Sequence, residues 1–147
     1  MWSEMIIAFI AAACLVGIYW AIRGYPPAIA TYQASLPPVS NNGLDPGQAK
    51  FMFFYTPWCP HCKTAKPIWA SFKETLKNTP STFGGHTLAF EEINCDSDKG
   101  KSALYKIEAY PTFKLETGTS VYELKGKPTV KGLNDFVVKV LGAQKPA

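Results

Sequence analysis

The chain has 147 residues, 47% of them hydrophobic and 18% charged, and a formal charge of +4. That length leaves room for one compact domain with an appendage and excludes a two-domain enzyme, and the composition excludes a wholly disordered chain. Its four cysteines (Cys14, Cys59, Cys62, Cys95) are too few and too unevenly spaced for the framework of a small disulfide scaffold, and its lysines are scattered among acids, so nucleic acid is not implied as a partner.

Residues 5–22 (MIIAFIAAACLVGIYWAI) carry no charged side chain. As a helix they measure about 27 Å against a hydrocarbon layer of roughly 30 Å, and Trp2 at one end with Tyr19 and Trp20 at the other suit the two interfaces. Residues 1–23 therefore read as an N-terminal transmembrane anchor, with membrane contact over 5–22 and Cys14 as a small lipid-facing or packing residue. A cleaved signal peptide is the competing reading. The lack of Lys or Arg before the apolar run, and the run's length, favour retention. Residues 24–49 read as a stalk, because Pro26-Pro27, Pro37-Pro38, Asn41-Asn42-Gly43 and Asp45-Pro46-Gly47 forbid a regular helix and favour extended backbone.

A folded α/β domain is expected over 50–143, with a short tail over 144–147. The run FMFFY at 51–55 is apolar and aromatic throughout, as in a strand buried on both faces. Ala65, Ile68, Trp69, Phe72 and Leu76 then share one face of an amphipathic helix, in which Pro67 predicts a kink. Residues 78–86 are rich in turn formers, with His86 as an exposed loop residue, and TLAFEEIN at 87–94 alternates as a second strand. Ser97 or Asp98 caps a short helix reaching Ile107. Residues 112–115 and 120–124 form a hairpin, and a last helix over 130–141 turns Leu133, Phe136, Val137, Val140 and Leu141 inward. The predicted order is β-α-β-α-β-β-α.

The chemistry lies in Trp58-Cys59-Pro60-His61-Cys62-Lys63, between the first strand and the amphipathic helix. This spacing puts Cys59 at the helix N-cap and Pro60 at the first helical position. Unpaired amides and the helix dipole favour negative charge there, so Cys59 is the expected nucleophile in its thiolate form. Cys62 lies one turn later and more buried, placed to attack a mixed disulfide at Cys59 or to close the ring with it. His61, as a cation beside Cys59, would favour the thiolate further. A stabilised reduced form makes the disulfide a stronger oxidant, and natural dithiols of this kind span about 150 mV. Trp58, beside the nucleophile in a loop, is expected to shape a substrate-facing surface. Zinc would need two further ligands, for which His86 and Cys95 are an ill-spaced pair, so no metal is expected. Cys95 reads as a small buried strand-end residue.

These motifs resemble the thioredoxin superfamily, and within it a domain of the protein disulfide isomerase type. Residues 54–63 (FYTPWCPHCK) are similar to the family's Phe-Tyr-Ala-Pro-Trp-Cys-x-His-Cys-Lys, and Pro67-Ile68-Trp69 to its later helix proline and aromatic. Ile93-Asn94-Cys95-Asp96 is similar to its Val-Asp-Cys, Ala109-Tyr110-Pro111-Thr112 to its Gly-Tyr-Pro-Thr, and residues 122–133 to its closing strand, glycine and helix. The resemblance implies a thioredoxin-like α/β fold with a central mixed sheet, no cofactor, a redox-active Cys59-Cys62 pair, a cis-proline at Pro111 facing it, and a Tyr110 backbone that pairs with substrate peptide. The catalytic set is then Cys59, Cys62, His61 and Pro60, with Trp58, Tyr110 and Pro111 binding substrate.

Three departures stand out. Pro-His between the cysteines resembles the bacterial periplasmic oxidant rather than the Gly-His of isomerases; Phe53 occupies the place of the family's buried acid; and the usual first strand and helix are not identifiable before Lys50. The expected function is a membrane-anchored thiol-disulfide oxidoreductase acting on protein cysteines as oxidant or isomerase, recycled by a redox partner. A thioredoxin-like reductant, or a structural adaptor of an organelle or virion membrane, is the alternative. Arg23 beside the anchor alone favours a cytosolic domain. Oxidising chemistry favours the endoplasmic reticulum lumen or periplasm, and the lumenal or exoplasmic side is the expectation.

Overall fold

The computed structural model describes Ile6, Cys14 and residues 34–36, 42–79 and 81–146. The chain divides into two compact units, Met1–Thr31 and Tyr32–Ala147. In the first, Ile6 and Cys14 are helical and exposed. The anchor expected over 5–22 otherwise lies outside the described residues, as does most of the expected stalk. Among the described residues no helix is long and apolar enough to cross a membrane.

The second unit runs β1 (Ala34–Leu36), β2 (Gln48–Tyr55), α1 (Pro60–Asn78), β3 (Ser81–Phe83), β4 (Thr87–Asn94), α2 (Lys99–Leu104), β5 (Thr112–Glu116), β6 (Val121–Glu123), α3 (Val130–Leu141) and β7 (Gln144–Pro146). The predicted order is present as β2-α1-β4-α2-β5-β6-α3. Five strands form a mixed sheet in the order β1-β6-β5-β2-β4, in which β2 runs parallel to β4 and antiparallel to β5. The aromatic run sits near the middle of that sheet, and Phe51, Met52, Phe53 and Phe54 are wholly buried. Phe51 and Phe53 join Trp69 and Phe72 of α1 and Leu133 and Phe136 of α3 on one face, while Met52 and Phe54 meet Ile93, Cys95 and Tyr105 on the other. Their rings interlock, Phe51 edge-on to Trp69 at 5.0 Å and Phe53 stacked on Phe113 at 4.8 Å. Pro67 lies inside α1, which is continuous across it.

Several boundaries differ from those expected. The stretch read as stalk through residue 49 contributes β1, which pairs antiparallel with β6, and the start of β2. The open edge of β6 leaves backbone groups unpaired, and an extended segment satisfies them. Asn42 also donates to the buried Glu116 carboxylate at 3.1 Å. The tail over 144–147 is instead β7, paired antiparallel with β3, a strand inside the stretch read as turn. Its pairing is non-local, and nothing in the local periodicity announces it. His86 is half-buried, trading main-chain hydrogen bonds with Phe83. Helix α2 is shorter than expected, opened by the Asp98 carboxylate, which accepts from the Lys101 amide at 2.9 Å.

Gly84 joins these pieces. Its φ is +55°, its amide donates to Ala143 at 3.1 Å, and a Cβ there would stand 1.7 Å from the Leu141 carbonyl oxygen. Gly85, at φ +85°, faces open space. Gly85→Ala is expected to cost roughly 1–2 kcal/mol, the left-handed backbone penalty alone. Gly84→Ala should cost more, about 2–4 kcal/mol, because backbone must also move. Urea unfolding of the two variants checks this, and equal midpoints would contradict the close approach.

Candidate active site

Strand β2 ends at Tyr55, and residues 56–59 turn the chain into α1. The Cys59 amide donates to the Thr56 carbonyl at 3.4 Å, closing the turn, and the Cys59 carbonyl accepts from Lys63 at 3.2 Å, opening the helix. Cys59 is the N-cap, with extended φ and ψ of −77° and 117°, and Pro60 follows at the helix start. The capping oxygen of a serine is replaced here by sulfur: Cys59 Sγ accepts the Cys62 amide at 3.3 Å. The same sulfur donates to the Tyr110 carbonyl at 3.6 Å.

That second contact brings the two sequence motifs together. The Tyr110-Pro111 peptide bond is cis, as the resemblance implied. Tyr110 also stands edge-on to Trp58 at 6.1 Å, and the Trp58 indole donates to Asp96 at 3.3 Å. Trp58 is thus 65% exposed yet held, an apolar plate on the rim of the site. Pro111, His61, Ala65 and Ile68 line a groove of about 470 Å³ closed by Gly126, Lys127 and Pro128. On the Trp58 side, Tyr110, Cys95, Asp96, Ser102 and Lys106 line a second hollow of about 470 Å³.

All described cysteines are free thiols. Cys59 and Cys62 are 5% and 1% exposed. Burial, and then the hydrogen bond to Cys59, push the Cys62 thiol up to about 11. Burial also raises the Cys95 thiol, against hydrogen bonds with Ser102 and Tyr110 that pull it down. Cys95 is the buried strand-end residue expected of it. The place of the family's acid is filled by Phe53, wholly buried between Phe113 and Trp69.

The structure therefore collects Cys59, Pro60, His61, Cys62, Trp58, Tyr110 and Pro111 at one end of the sheet. Asp96, the partner of Trp58, was not anticipated, and no local signal marks it, since its partner lies 38 residues away. Thr56, with a buried hydroxyl that has no partner, was also missed. Its signal was available as the departure from Ala in the family's Phe-Tyr-Ala-Pro segment.

The profile of the Thioredoxin family matches residues 44–139. The chain is 32% identical over 92 residues to Protein disulfide-isomerase 5-1 of Arabidopsis thaliana, covering 62% of this chain and 59% of that protein. It is 30% identical over 90 residues to Protein disulfide-isomerase TMX3 of Homo sapiens, covering 61% of this chain and 19% of that protein. It thus spans less than two thirds of either relative's length. The J-Trx1 fragment of ERdj5 shares the fold, with a TM-score of 0.55 at 21% identity, covering 66% of this chain and 45% of that one.

With the Cys62 thiol near 11, about one molecule in a thousand carries that thiolate at pH 8. Brief iodoacetamide labelling of the reduced protein, read by peptide mass spectrometry, should show Cys62 modification rising about tenfold per pH unit from 8 to 10. A rate already level by pH 9 would contradict the buried, protonated thiol.

Proposed function

This chain belongs to the thioredoxin family, and from that we propose that it is a membrane-anchored thiol-disulfide oxidoreductase that passes a Cys59-Cys62 disulfide to the cysteines of protein substrates. The observation that carries the reading is one sulfur at two junctions: Cys59 Sγ caps α1 and touches the carbonyl before the cis-proline. A substrate thiolate attacks Cys59, Cys62 leaves as thiolate, and a second substrate thiolate resolves the mixed disulfide. In reverse, Cys62 attacks the mixed disulfide and the substrate sulfur leaves. Pro60 starts the helix on which both cysteines ride, and the exposed His61 lines the groove beside them, where a positive charge would favour thiolate over disulfide. Substrate backbone pairs with Tyr110, and Trp58 covers its side chains.

We assign the direction as oxidant or isomerase, because Pro-His separates the cysteines and the Arabidopsis thaliana and Homo sapiens relatives are isomerases by name. The domain accordingly belongs on the lumenal or exoplasmic side, where disulfides persist, held to the membrane through residues 5–22 and recycled by a redox partner. A second reading, a thioredoxin fold used for binding without turnover, draws on Phe53, which puts a buried phenyl ring on β2 where the family has a carboxyl to move protons.

The test is the reduction potential of the full chain in detergent micelles, equilibrated in glutathione buffers and followed by the Trp58 fluorescence. A value above about −200 mV is expected, and one near −270 mV would make the protein a reductant. His61→Ala should lower the value. Cys59→Ser should abolish exchange and Cys62→Ser should accumulate mixed disulfides, whereas insulin reduction no faster than dithiothreitol alone would favour the binding role.

A further inference from the structure

Thr56 stands where the family's Phe-Tyr-Ala-Pro segment has alanine, so its hydroxyl is an addition in the turn that leads to Cys59. It is 2% exposed, and its Oγ1 is fully buried without a hydrogen-bond partner. A threonine hydroxyl carries one donor and two acceptor sites, and almost every buried one uses them. The Thr56 carbonyl accepts the Cys59 amide at 3.4 Å, Cys59 Sγ accepts the Cys62 amide at 3.3 Å, and the Thr56 main chain pulls the Cys62 thiol down against its burial, so Oγ1, three bonds from the Thr56 amide nitrogen, lies in the turn beside that sulfur. An unspent donor therefore lies in the shell around the sulfur that must gain and lose charge.

We propose that the Thr56 hydroxyl is the hydrogen-bond donor for the Cys62 thiolate, turning to it when the sulfur ionises. The inference rests on the oxidoreductase reading of the same cysteine pair. The step it serves is balanced within that reaction. Cys62 loses its proton to solvent and attacks Cys59 Sγ in the mixed disulfide; the Cys59-Cys62 bond forms, the bond from Cys59 to the substrate breaks, and the electron pair leaves on the substrate sulfur. In the opposite direction Cys62 is the leaving thiolate and the same hydrogen bond receives it.

The site has little else to offer that charge. The titratable groups facing Cys62 are Cys59 at the head of α1 and Cys95 just past β4, and both raise its proton affinity. Strands β2 and β5 bring Phe53 and Phe113 to the face beneath α1, neither of which donates. When Cys59 is in a mixed disulfide it no longer titrates, which leaves the Thr56 amide and hydroxyl as the donors within reach.

The experiment uses the full chain loaded with glutathione on Cys59, with release by Cys62 timed from pH 6 to 10 in wild type, Thr56→Val and Thr56→Ser. Valine keeps the shape and removes the donor; serine keeps the donor. The valine variant should displace the rising limb of the rate profile up by about one pH unit and slow release at pH 7 about tenfold, the effect of one hydrogen bond to an ionised sulfur. Serine should return the rising limb to its wild-type position, which a role in packing alone would not produce. Should the valine variant not fold, Thr56→Ala, the residue of the family segment, takes its place with the same expected shift. A valine or alanine profile that overlays a functional wild type overturns the assignment to Thr56. Glutathione that stays on wild-type Cys59 as it does in Cys62→Ser overturns the underlying oxidoreductase reading, and this assignment with it.

Discussion

The site depends on one constraint, the burial of β2 on both faces. Phe51 and Phe53 are committed to the layer under α1 and α3, and Met52 and Phe54 to the opposite layer, with no exposure at any of the four. Side chains alternate along a strand, so a slip of one residue would exchange the two sets and force each into a space shaped for the other. The parallel register with β4 and the antiparallel register with β5 are thereby fixed together. The end of β2 then has one position, and the turn at 56–59 can deliver Cys59 to the head of α1. Strand β5 begins beside that end, which brings the cis Tyr110-Pro111 bond to the same sulfur. The two motifs meet because two strand registers are pinned by one aromatic core.

The sheet also carries charge inside it. Lys114 and Glu116 alternate with Phe113 and Leu115 along β5, and both are buried. Lys114 pairs with Glu123 of β6 at 2.9 Å, while Glu116 accepts from the Tyr105 hydroxyl at 2.6 Å. Burial raises the Glu123 carboxyl, yet hydrogen bonds from Lys125 and Lys114 hold it below the usual range. Burial, and then the bond to Glu116, push the Tyr105 hydroxyl up, keeping it a donor. Breaking such a pair from one side leaves a buried charge uncompensated, so these contacts penalise wrong pairings of β5 more than they stabilise the right one. They tie α2 and the residues before β2 to the far side of the sheet from α1, where no reacting group lies.

Most of the domain was legible because its determinants are local. The amphipathic spacing of Ala65, Trp69, Phe72 and Leu76, the alternation at 87–94 and the inward face of α3 each contain their own evidence, and the structure places those elements where the periodicity does. The site was legible for a different reason: the N-cap geometry of Cys59 follows from Pro60 and from the strand before it. What stayed hidden is non-local or concerns atoms without a pattern. Strands β1, β3 and β7 have three residues each, and each exists only because a distant edge accepts it. The stretch at 78–86 does turn, at Gly84 and Gly85, but Phe83 before that turn is as buried as the core. A sequence shows that Thr56 is not alanine; only packing shows that its hydroxyl has no partner.

The two sulfurs of the pair are held in opposite electrical settings. Cys59 Sγ receives an amide at the positive end of a 19-residue helix, a place that rewards negative charge. Cys62 is one turn deeper, nearly sealed from water and held up near 11. With both protons in place the two sulfurs are satisfied: Cys59 Sγ donates to the Tyr110 carbonyl while accepting the Cys62 amide, and Cys62 keeps its proton. Replacing the family's buried acid with Phe53 sharpens the contrast: it removes a group able to exchange protons with Cys62 and puts a ring stacked on Phe113 in its place. The consequence is an inner thiol that ionises with difficulty, which slows every step in which Cys62 attacks or leaves as a thiolate.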